Sequence, residues 1–123
     1  METIHSAVFL EVADLKLESR YSEGTLAVFL RGELDQHTAP EVFREIESAA
    51  DRYLPRNLAL DLSGLTFMDS SGIAVILRAR KRMGETGGQV CILDPSPQPR
   101  RVLNASGMDR MVKIKNTKGW NAP

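Results

Sequence analysis

The first regular pattern in the chain is an alternation of apolar and polar residues. Residues 15–19 alternate strictly, and part of the segment 25–30 does the same. Side chains two residues apart lie on the same face of a β-strand, so this period predicts two strands that each bury one face. Residues 21–24 between them have turn chemistry, and the sequence therefore predicts a β-hairpin. Residues 8–17 mix apolar and acidic positions, which is compatible with a first strand or with a short helix-like lead-in. Residues 1–14 are therefore expected either to add a strand or to stay flexible.

Beyond the hairpin, the apolar residues take up helical spacing. They recur three or four positions apart, which places them on one face of a helix. These residues are Val42, Phe43, Ile46, Ala49 and Ala50. Thr38 and Glu41 have the spacing of a capping box, with Thr38 as the N-cap. Pro55 marks the end of this first helix.

Two short apolar runs, at residues 58–62 and 90–93, predict strands that are buried on both faces. Ser63 and Gly64 break the pattern after the first run. A last short strand is predicted at residues 111–114.

Two further helices are predicted around the second of these strands. One has Asp69 as its N-cap and ends near Gly84, and its inward residues are Ile73, Ile76, Leu77 and Met83. The other covers about residues 98–106, with Gly107 in the position just after its end.

This order of elements predicts an α/β fold. We expect a central mixed, mostly parallel β-sheet of about four to five strands, with an N-terminal β-hairpin and about three to four packed α-helices. One domain is expected over residues 1–123, with a core at about 15–114. The tail at residues 115–123 is polar and is expected to be poorly ordered.

Composition and charge narrow the class of partner. The 123 residues include 16 basic and 16 acidic side chains, so there is no net charge to attract nucleic acid or an anionic membrane. The chain has no signal-peptide pattern and no apolar run near the ~20 residues that span a bilayer. The single cysteine, Cys91, permits no internal disulfide. We expect a cytoplasmic protein that binds neither nucleic acid nor membrane directly.

The most informative chemistry lies where an apolar strand runs into Asp69, Ser70, Ser71 and Gly72 at the start of a helix. The N–H groups and the dipole of a helix start favour negative charge, so Ser70 is placed to carry a phosphoryl group. Gly72 is expected to keep the surroundings of Ser70 open. The alternative is that this segment is only a helix cap, which is the commoner role of such a sequence. Local residues leave both interpretations open.

The sequence lacks the residue patterns of metal sites, catalytic serines and phosphate-binding loops. Two histidines and one cysteine, widely separated, form no recognisable metal-ligand set. A catalytic serine requires a histidine and an orienting acid close to it in space; the sequence places no histidine beside Ser70 and leaves its spatial neighbours open. The glycines at 84, 87 and 88 are not followed by the Gly-Lys-Ser/Thr of a phosphate loop. We therefore expect no cofactor, no metal and no catalytic residue.

Longer blocks of the sequence resemble one known family. The blocks are GELDQHTA at 32–39, DLSGLTFMDSSG at 61–72, the glycine pair at 87–88, and Val-Leu at 102–103 followed by Ser-Gly-Met at 106–108. Their order and spacing resemble those of the STAS-domain anti-sigma factor antagonists. The resemblance covers roughly residues 15–114, and FMDSSG is its most specific part. It implies a STAS-like fold and a protein-binding module that is not an enzyme.

The resemblance also implies a mechanism. In this family the unmodified antagonist binds an anti-sigma factor, which then releases its sigma factor for transcription. Many such anti-sigma factors are ATP-using serine kinases that phosphorylate the first serine of the motif, here Ser70, so that the antagonist dissociates. A metal-dependent phosphatase of the PP2C type reverses the modification.

The same resemblance implies a surface for the partner kinase made by Asp35, Asp69, Ser70, Ser71 and Gly72. Asp35 is expected to lie near Ser70 and to assist binding or phosphorylation. A plain turn carboxylate that accepts nearby N–H groups is an equally good interpretation of Asp35. Asp69 combines a capping role with a possible part in partner recognition.

Two other functions compete with this one. A STAS-like subunit of a lipid or anion transport complex is the first, although such subunits usually lack the phosphorylatable serine. The second is an enzyme with Asp35 and Asp69 as paired acids, for which the sequence offers no cofactor motif.

Overall fold

Six β-strands form one sheet in the computed structural model, which describes residues 6–117. The strands are β1 Ser6–Val12, β2 Leu15–Ser22, β3 Thr25–Leu34, β4 Asn57–Met68, β5 Gln89–Leu93 and β6 Lys113–Lys115. The helices are α1 Ala39–Tyr53, α2 Ser70–Gly84 and α3 Pro97–Ser106, and a short 3-10 turn covers Met108–Arg110. The poor order expected for residues 115–123 is wrong at the start of that range, since Lys115 ends β6 and the Thr117 N–H donates to the Asp94 carboxylate; residues 118–123 lie outside the described residues.

The strands lie in the sheet in the same order as in the chain. β1, β2 and β3 form an antiparallel meander, and β3, β4, β5 and β6 run parallel to one another. Each parallel connection contains one helix, and right-handed connections in this order put all three helices on one face. α1 accordingly contacts α2, and α2 contacts α3. The predicted α/β class, the parallel core and the N-terminal hairpin are confirmed.

The number of strands was underestimated. The sheet has six strands rather than four to five, because residues 6–12 form a complete strand against β2. Leu10 and Val12 pack against the core from this strand. Phe9 and Glu11 alternate with them and point the other way, so β1 follows the same period of two as the hairpin.

The core lies between the sheet and the helices. Leu15 and Leu17 of β2, together with Leu26, Val28 and Leu30 of β3, are buried on the helix side. All five residues predicted for the inner face of α1 are buried. In α2, Ile76 and Met83 are buried, but Leu77 is 39% exposed, so its predicted inward position was wrong.

The opposite side of the sheet, called the open face below, is not covered by a helix. It carries Phe9, Glu11, Lys16, Glu18, Arg20, Phe29 and Arg31. A groove of about 510 Å³ lies on this face, lined in part by Phe9, Phe29 and Arg31. None of the five predicted site residues lines this groove.

β4 is longer than the sequence predicted. Ser63 and Gly64 do not end it, because the strand accommodates them with shifts in its register against β3. The buried Asp61 carboxylate accepts both the Ser63 N–H at 2.9 Å and the Ser63 hydroxyl at 2.7 Å, which satisfies the polar groups of the irregular segment. β4 therefore continues to Met68 and leads directly into Asp69 and Ser70.

Candidate functional site

The predicted site residues meet where β3 and β4 end. Leu34 and Met68 are register partners at these ends, and the Asp69 N–H donates to the Leu34 carbonyl at 3.3 Å. Asp35 follows Leu34 directly, just as Asp69 follows Met68. Because parallel strands share one carboxyl edge, the sheet brings Asp35 and the start of α2 to the same edge.

Asp69 caps α2, as the sequence predicted. Its backbone is extended, and its Oδ1 accepts the Ser71 N–H at 2.8 Å. That contact satisfies one of the N–H groups that the first turn of a helix leaves without a partner. The Asp69 carboxylate therefore occupies the position at the helix start that an added anion would otherwise take.

Ser70 is the first residue of α2 and is exposed. Within residues 6–117 its hydroxyl makes no hydrogen bond. A phosphoryl group on this hydroxyl would lie beside the Asp69 carboxylate, which already binds the Ser71 N–H. Phosphorylation would thus add negative charge next to an existing carboxylate. The Ser71 N–H, which the sequence alone would leave available to the phosphate, is already bound by Asp69.

Gly72 is buried and faces the ends of the strands. A Cβ at this position would lie 2.3 Å from the Met68 Cγ and 3.1 Å from the Leu34 Cδ2. Glycine here lets the first turn of α2 lie directly against β3 and β4. The expectation that Gly72 keeps the surroundings of Ser70 open was therefore wrong, since this residue points into the core.

Asp35 organises the loop between β3 and α1. Its Oδ1 accepts the His37 N–H at 2.8 Å and the Thr38 N–H at 3.2 Å, and its carbonyl accepts the Ala39 N–H at 2.8 Å. In the structure Asp35 is thus a turn carboxylate that accepts nearby N–H groups. Its contact with a partner stays a prediction.

The capping box predicted for α1 was wrong. Thr38 has helical backbone angles and makes no side-chain cap. Its buried hydroxyl donates instead to the Glu33 carbonyl at 2.9 Å and accepts the Asp35 N–H at 3.0 Å. The Glu41 carboxylate pairs with Arg44 at 2.5 Å rather than reaching back to Thr38. Asp35 satisfies the N–H groups at the helix start in place of Thr38.

Gln98 is a site-supporting residue that the sequence did not reveal. β5 pairs with β4 only as far as Asp61, so the last residues of β4 have no strand on that side. The Gln98 amide fills this gap at Met68, accepting its N–H at 2.8 Å and donating to its carbonyl at 3.0 Å. The Ser96 hydroxyl likewise donates to the Leu65 carbonyl. The start of α3 therefore holds the strand end that precedes Asp69.

Comparison with known proteins agrees with this architecture. A family model described as the STAS domain matches residues 16–119. The chain belongs to the STAS domain family. The resemblance found in the sequence is thereby confirmed.

Relatives of this STAS domain are anti-sigma factor antagonists. The "Anti-sigma F factor antagonist" of Paenibacillus polymyxa is 37% identical over 101 residues, which cover 82% of this chain and 86% of the relative. The solved structure of the anti-sigma factor antagonist SpoIIAA in its unphosphorylated form has a TM-score of 0.71 at 24% identity, covering 93% of this chain and 90% of that one. An anti-sigma factor antagonist from Mycobacterium paratuberculosis has a TM-score of 0.76 at 24% identity, covering 89% and 92%. The two structures show that the fold is shared.

The described part of this STAS domain contains neither a membrane-spanning helix nor a cluster of metal-ligand side chains. Among residues 6–117, no helix is long and apolar enough to cross a membrane. In the same residues, no group of three or more His, Cys, Asp or Glu side chains is arranged to hold a metal ion.

The Asp35 loop of this STAS domain gives a pH prediction. The pKa of the Asp35 carboxyl is lowered from its usual 3.8, chiefly because the carboxylate accepts the His37 N–H. A lowered pKa in the folded state gives stability that is present above the unfolded pKa and lost as pH falls through the folded value. We expect the free energy of unfolding of Asp35→Asn to fall less steeply with decreasing pH, below about pH 4, than that of the wild type.

Urea unfolding at a series of pH values would measure this effect, and an NMR titration of the Asp35 carboxyl carbon would give the folded pKa directly. Asparagine keeps the side-chain oxygen that accepts the two N–H groups, so the comparison isolates the titration. Identical acid slopes in the two proteins would contradict the prediction.

A second prediction concerns the Gln98 amide. Gln98→Ala leaves the Met68 N–H and carbonyl without their partners, so we expect the free energy of unfolding to fall by about 1–3 kcal/mol. Gln98→Glu should also destabilise, because a carboxylate accepts the N–H but repels the carbonyl. Urea unfolding measures both. Gln89→Ala, at an exposed position of β5, is the matched control and should change stability little.

Proposed function

We propose that this STAS domain is an anti-sigma factor antagonist whose binding is controlled by phosphorylation of Ser70. In the unmodified form, the edge formed by Asp35, Asp69, Ser70, Ser71 and Gly72 binds an anti-sigma factor, which then releases its sigma factor. Gly72 acts by packing rather than by contact, since it is buried. The domain is a binding protein of the cytoplasm and not an enzyme.

The observation that carries this proposal is the position of Ser70. It is an exposed serine at the first residue of a helix, with a hydroxyl free of hydrogen bonds within residues 6–117. A kinase can reach such a hydroxyl without unfolding the site. The curated relative at 37% identity is an anti-sigma F factor antagonist, which supports the same class of partner.

Charge explains how one phosphoryl group can act as a switch. The serine hydroxyl is neutral, whereas a phosphoserine carries about −1.5 to −2 charges at neutral pH. This charge would be added beside Asp69, at the same sheet edge as Asp35, and the partner would have to desolvate all of it on binding. Losing ~3 kcal/mol of binding free energy weakens affinity more than a hundredfold.

We further propose that the anti-sigma factor is itself an ATP-using serine kinase. Its active site would contact the Asp35 loop, whose backbone is fixed by the hydrogen bonds of Asp35 and Thr38. A PP2C-type phosphatase would restore the unmodified form. Neither enzyme needs a cofactor from this chain.

Capture of partners from a native lysate tests the proposal. The baits are the wild type, Ser70→Ala, Ser70→Asp and a control, Ser48→Asp, which adds the same charge at an exposed position in α1. Mass spectrometry identifies the partners and the phosphorylation state of Ser70. We expect an ATPase-type anti-sigma factor with wild type, Ser70→Ala and Ser48→Asp, and its loss with Ser70→Asp.

Two outcomes would reject the regulatory function. One is the capture of the same transporter components by all four baits, which would favour a transport-complex subunit. The other is the absence of phosphate on Ser70 under every growth condition in which the protein is made.

A further inference from the structure

β1 presents an unprotected outer edge. It lies at the end of the sheet and pairs with β2 alone among residues 6–117. Its seven residues, SAVFLEV, contain no lysine, no proline and one charge, and its register with β2 has no bulge. Phe9 at its centre is 74% exposed. Natural sheets usually protect an outer strand with lysine, proline or a bulge, because an open edge pairs readily with another strand.

The backbone of β1 offers hydrogen-bonding groups to that edge. Val12 and Leu15 form the closing pair of the hairpin, around the turn at Ala13 and Asp14. A closing pair around such a short turn exchanges hydrogen bonds, and the bonding direction then alternates along the strand. The N–H and C=O groups of Ala7, Phe9 and Glu11 therefore point away from β2.

We propose that β1 of a second copy of this chain occupies this edge, in an antiparallel pairing centred on Phe9. Residue 9 is the midpoint of β1, so this register overlaps the strand along its whole length from Ser6 to Val12. Ala7 then lies opposite Glu11 of the second copy, and Phe9 lies opposite Phe9. The outward groups of both strands form about six backbone hydrogen bonds. The contact is the same from either side, as a two-fold interface requires.

Side chains on both faces of the sheet match in this register. On the helix side, Val8 lies opposite Leu10 of the second copy, which pairs two apolar residues. On the open face, the two Phe9 rings are neighbours, and aromatic cross-strand pairs are favourable. The register therefore covers Phe9, the most exposed of the large apolar side chains described for this chain.

Charge on the open face favours the same register. Ala7 is the register partner of Arg20 on β2, so Glu11 of the second copy faces a small residue with an arginine just beyond it. Two strand spacings, about 9.6 Å, separate the two backbones, a distance that the glutamate and arginine side chains together can span. Within its own chain Glu11 is the register partner of Lys16. Each Glu11 carboxylate would thus lie between two cations.

The paired sheet leaves both Ser70 sites accessible. The two-fold axis runs perpendicular to the sheet through the Phe9 pair, so the parallel strands of the two copies point in opposite directions. The carboxyl edges that carry Ser70 then lie at opposite ends of the joined sheet. The dimer is therefore compatible with partner binding, and it does not depend on the function proposed for Ser70.

Sedimentation tests the dimer. One pair of strands buries less area than a standard interface, so we expect a dimer Kd in the micromolar range or weaker. The fraction of dimer should therefore increase as the protein concentration rises from micromolar to near-millimolar. Phe9→Lys places two like charges opposite each other and should raise the Kd at least about tenfold. Leu54→Lys is the matched control, because Leu54 is 62% exposed and lies at the end of α1. A wild type that stays monomeric throughout, or a dimer unaffected by Phe9→Lys, would overturn the proposal.

Cysteine pairing tests the register while keeping Phe9 in place. In a Cys91→Ser background, Ala7→Cys and Glu11→Cys are oxidised separately and as a mixture. Directly opposed residues have Cα atoms about 5.5 Å apart, within the range of a disulfide, whereas Ala7 and its copy would be about 14 Å apart. We expect a covalent dimer mainly in the mixture. Equal cross-linking of the separate variants, or none in the mixture, would overturn the register and with it the proposal.

Discussion

Phosphorylation of Ser70 is expected to weaken binding of the anti-sigma factor more than about a hundredfold. The hydroxyl lies at the first residue of α2, beside the Asp69 carboxylate that already holds the Ser71 N–H. One N–H group of the helix start is therefore already taken and cannot bind the phosphate, whose charge must be desolvated when the partner covers the edge. Isothermal titration calorimetry with the purified anti-sigma factor measures the change.

Three comparisons give that measurement its meaning. Ser70→Ala should bind within about threefold of the wild type, since it removes a hydroxyl without adding charge. Ser48→Asp should bind like the wild type, because its added charge lies in α1 away from the strand ends. Phosphatase treatment of the modified protein should restore binding. Equal affinities of the modified and unmodified proteins would contradict the mechanism and leave the fold assignment intact.

Gly32→Ala is expected to lower the free energy of unfolding by more than about 3 kcal/mol. Gly32 has φ +109°, a conformation that residues with a Cβ rarely adopt, and a Cβ there would lie 2.0 Å from the Asp14 carbonyl oxygen. No rotation of a side chain can relieve this clash, because the obstacle is main chain. The same carbonyl accepts the Glu33 N–H at 3.0 Å, so moving it also breaks a hydrogen bond.

Urea unfolding compares this variant with Gly84→Ala. Gly84 has ordinary backbone angles, and no atom lies within 4 Å of a Cβ built there. The control should be neutral or more stable by about 0.4–1 kcal/mol, since alanine restricts the unfolded chain. A Gly32→Ala protein as stable as this control would show that the turn at Asp14 can yield without cost.

The elements that sequence analysis located well are those with strong periodicity. The inner face of α1 and the alternation of β2 and β3 could be predicted, because burial on one face forces the period. The sequence leaves β1 ambiguous, since the apolar Ala7 and Phe9 on its outer face blur its alternation with Val8, Leu10 and Val12. The sequence predicts only the first part of β4, at residues 58–62, because Ser63 and Gly64 look like a break until the contacts of Asp61 are known.

The site was predicted in part for a similar reason. The Asp69 cap is a contact over two residues and could be predicted from local sequence. Thr38 has the pattern of a capping residue, but the Glu33 carbonyl takes its hydroxyl, and only the path of β3 reveals that contact. Gln98 contacts Met68 across 30 positions of sequence, which no local pattern encodes.

The strand order has a consequence for how the protein is made. Each strand after the first pairs with the strand that precedes it in the chain. Translation delivers about 5–20 residues per second, slowly compared with the microseconds in which a hairpin forms. The meander of β1, β2 and β3 can therefore assemble before α1 has left the ribosome, and each later helix–strand unit adds to an edge that already exists. After β1, each strand of the described sheet therefore emerges to find one neighbour already synthesised.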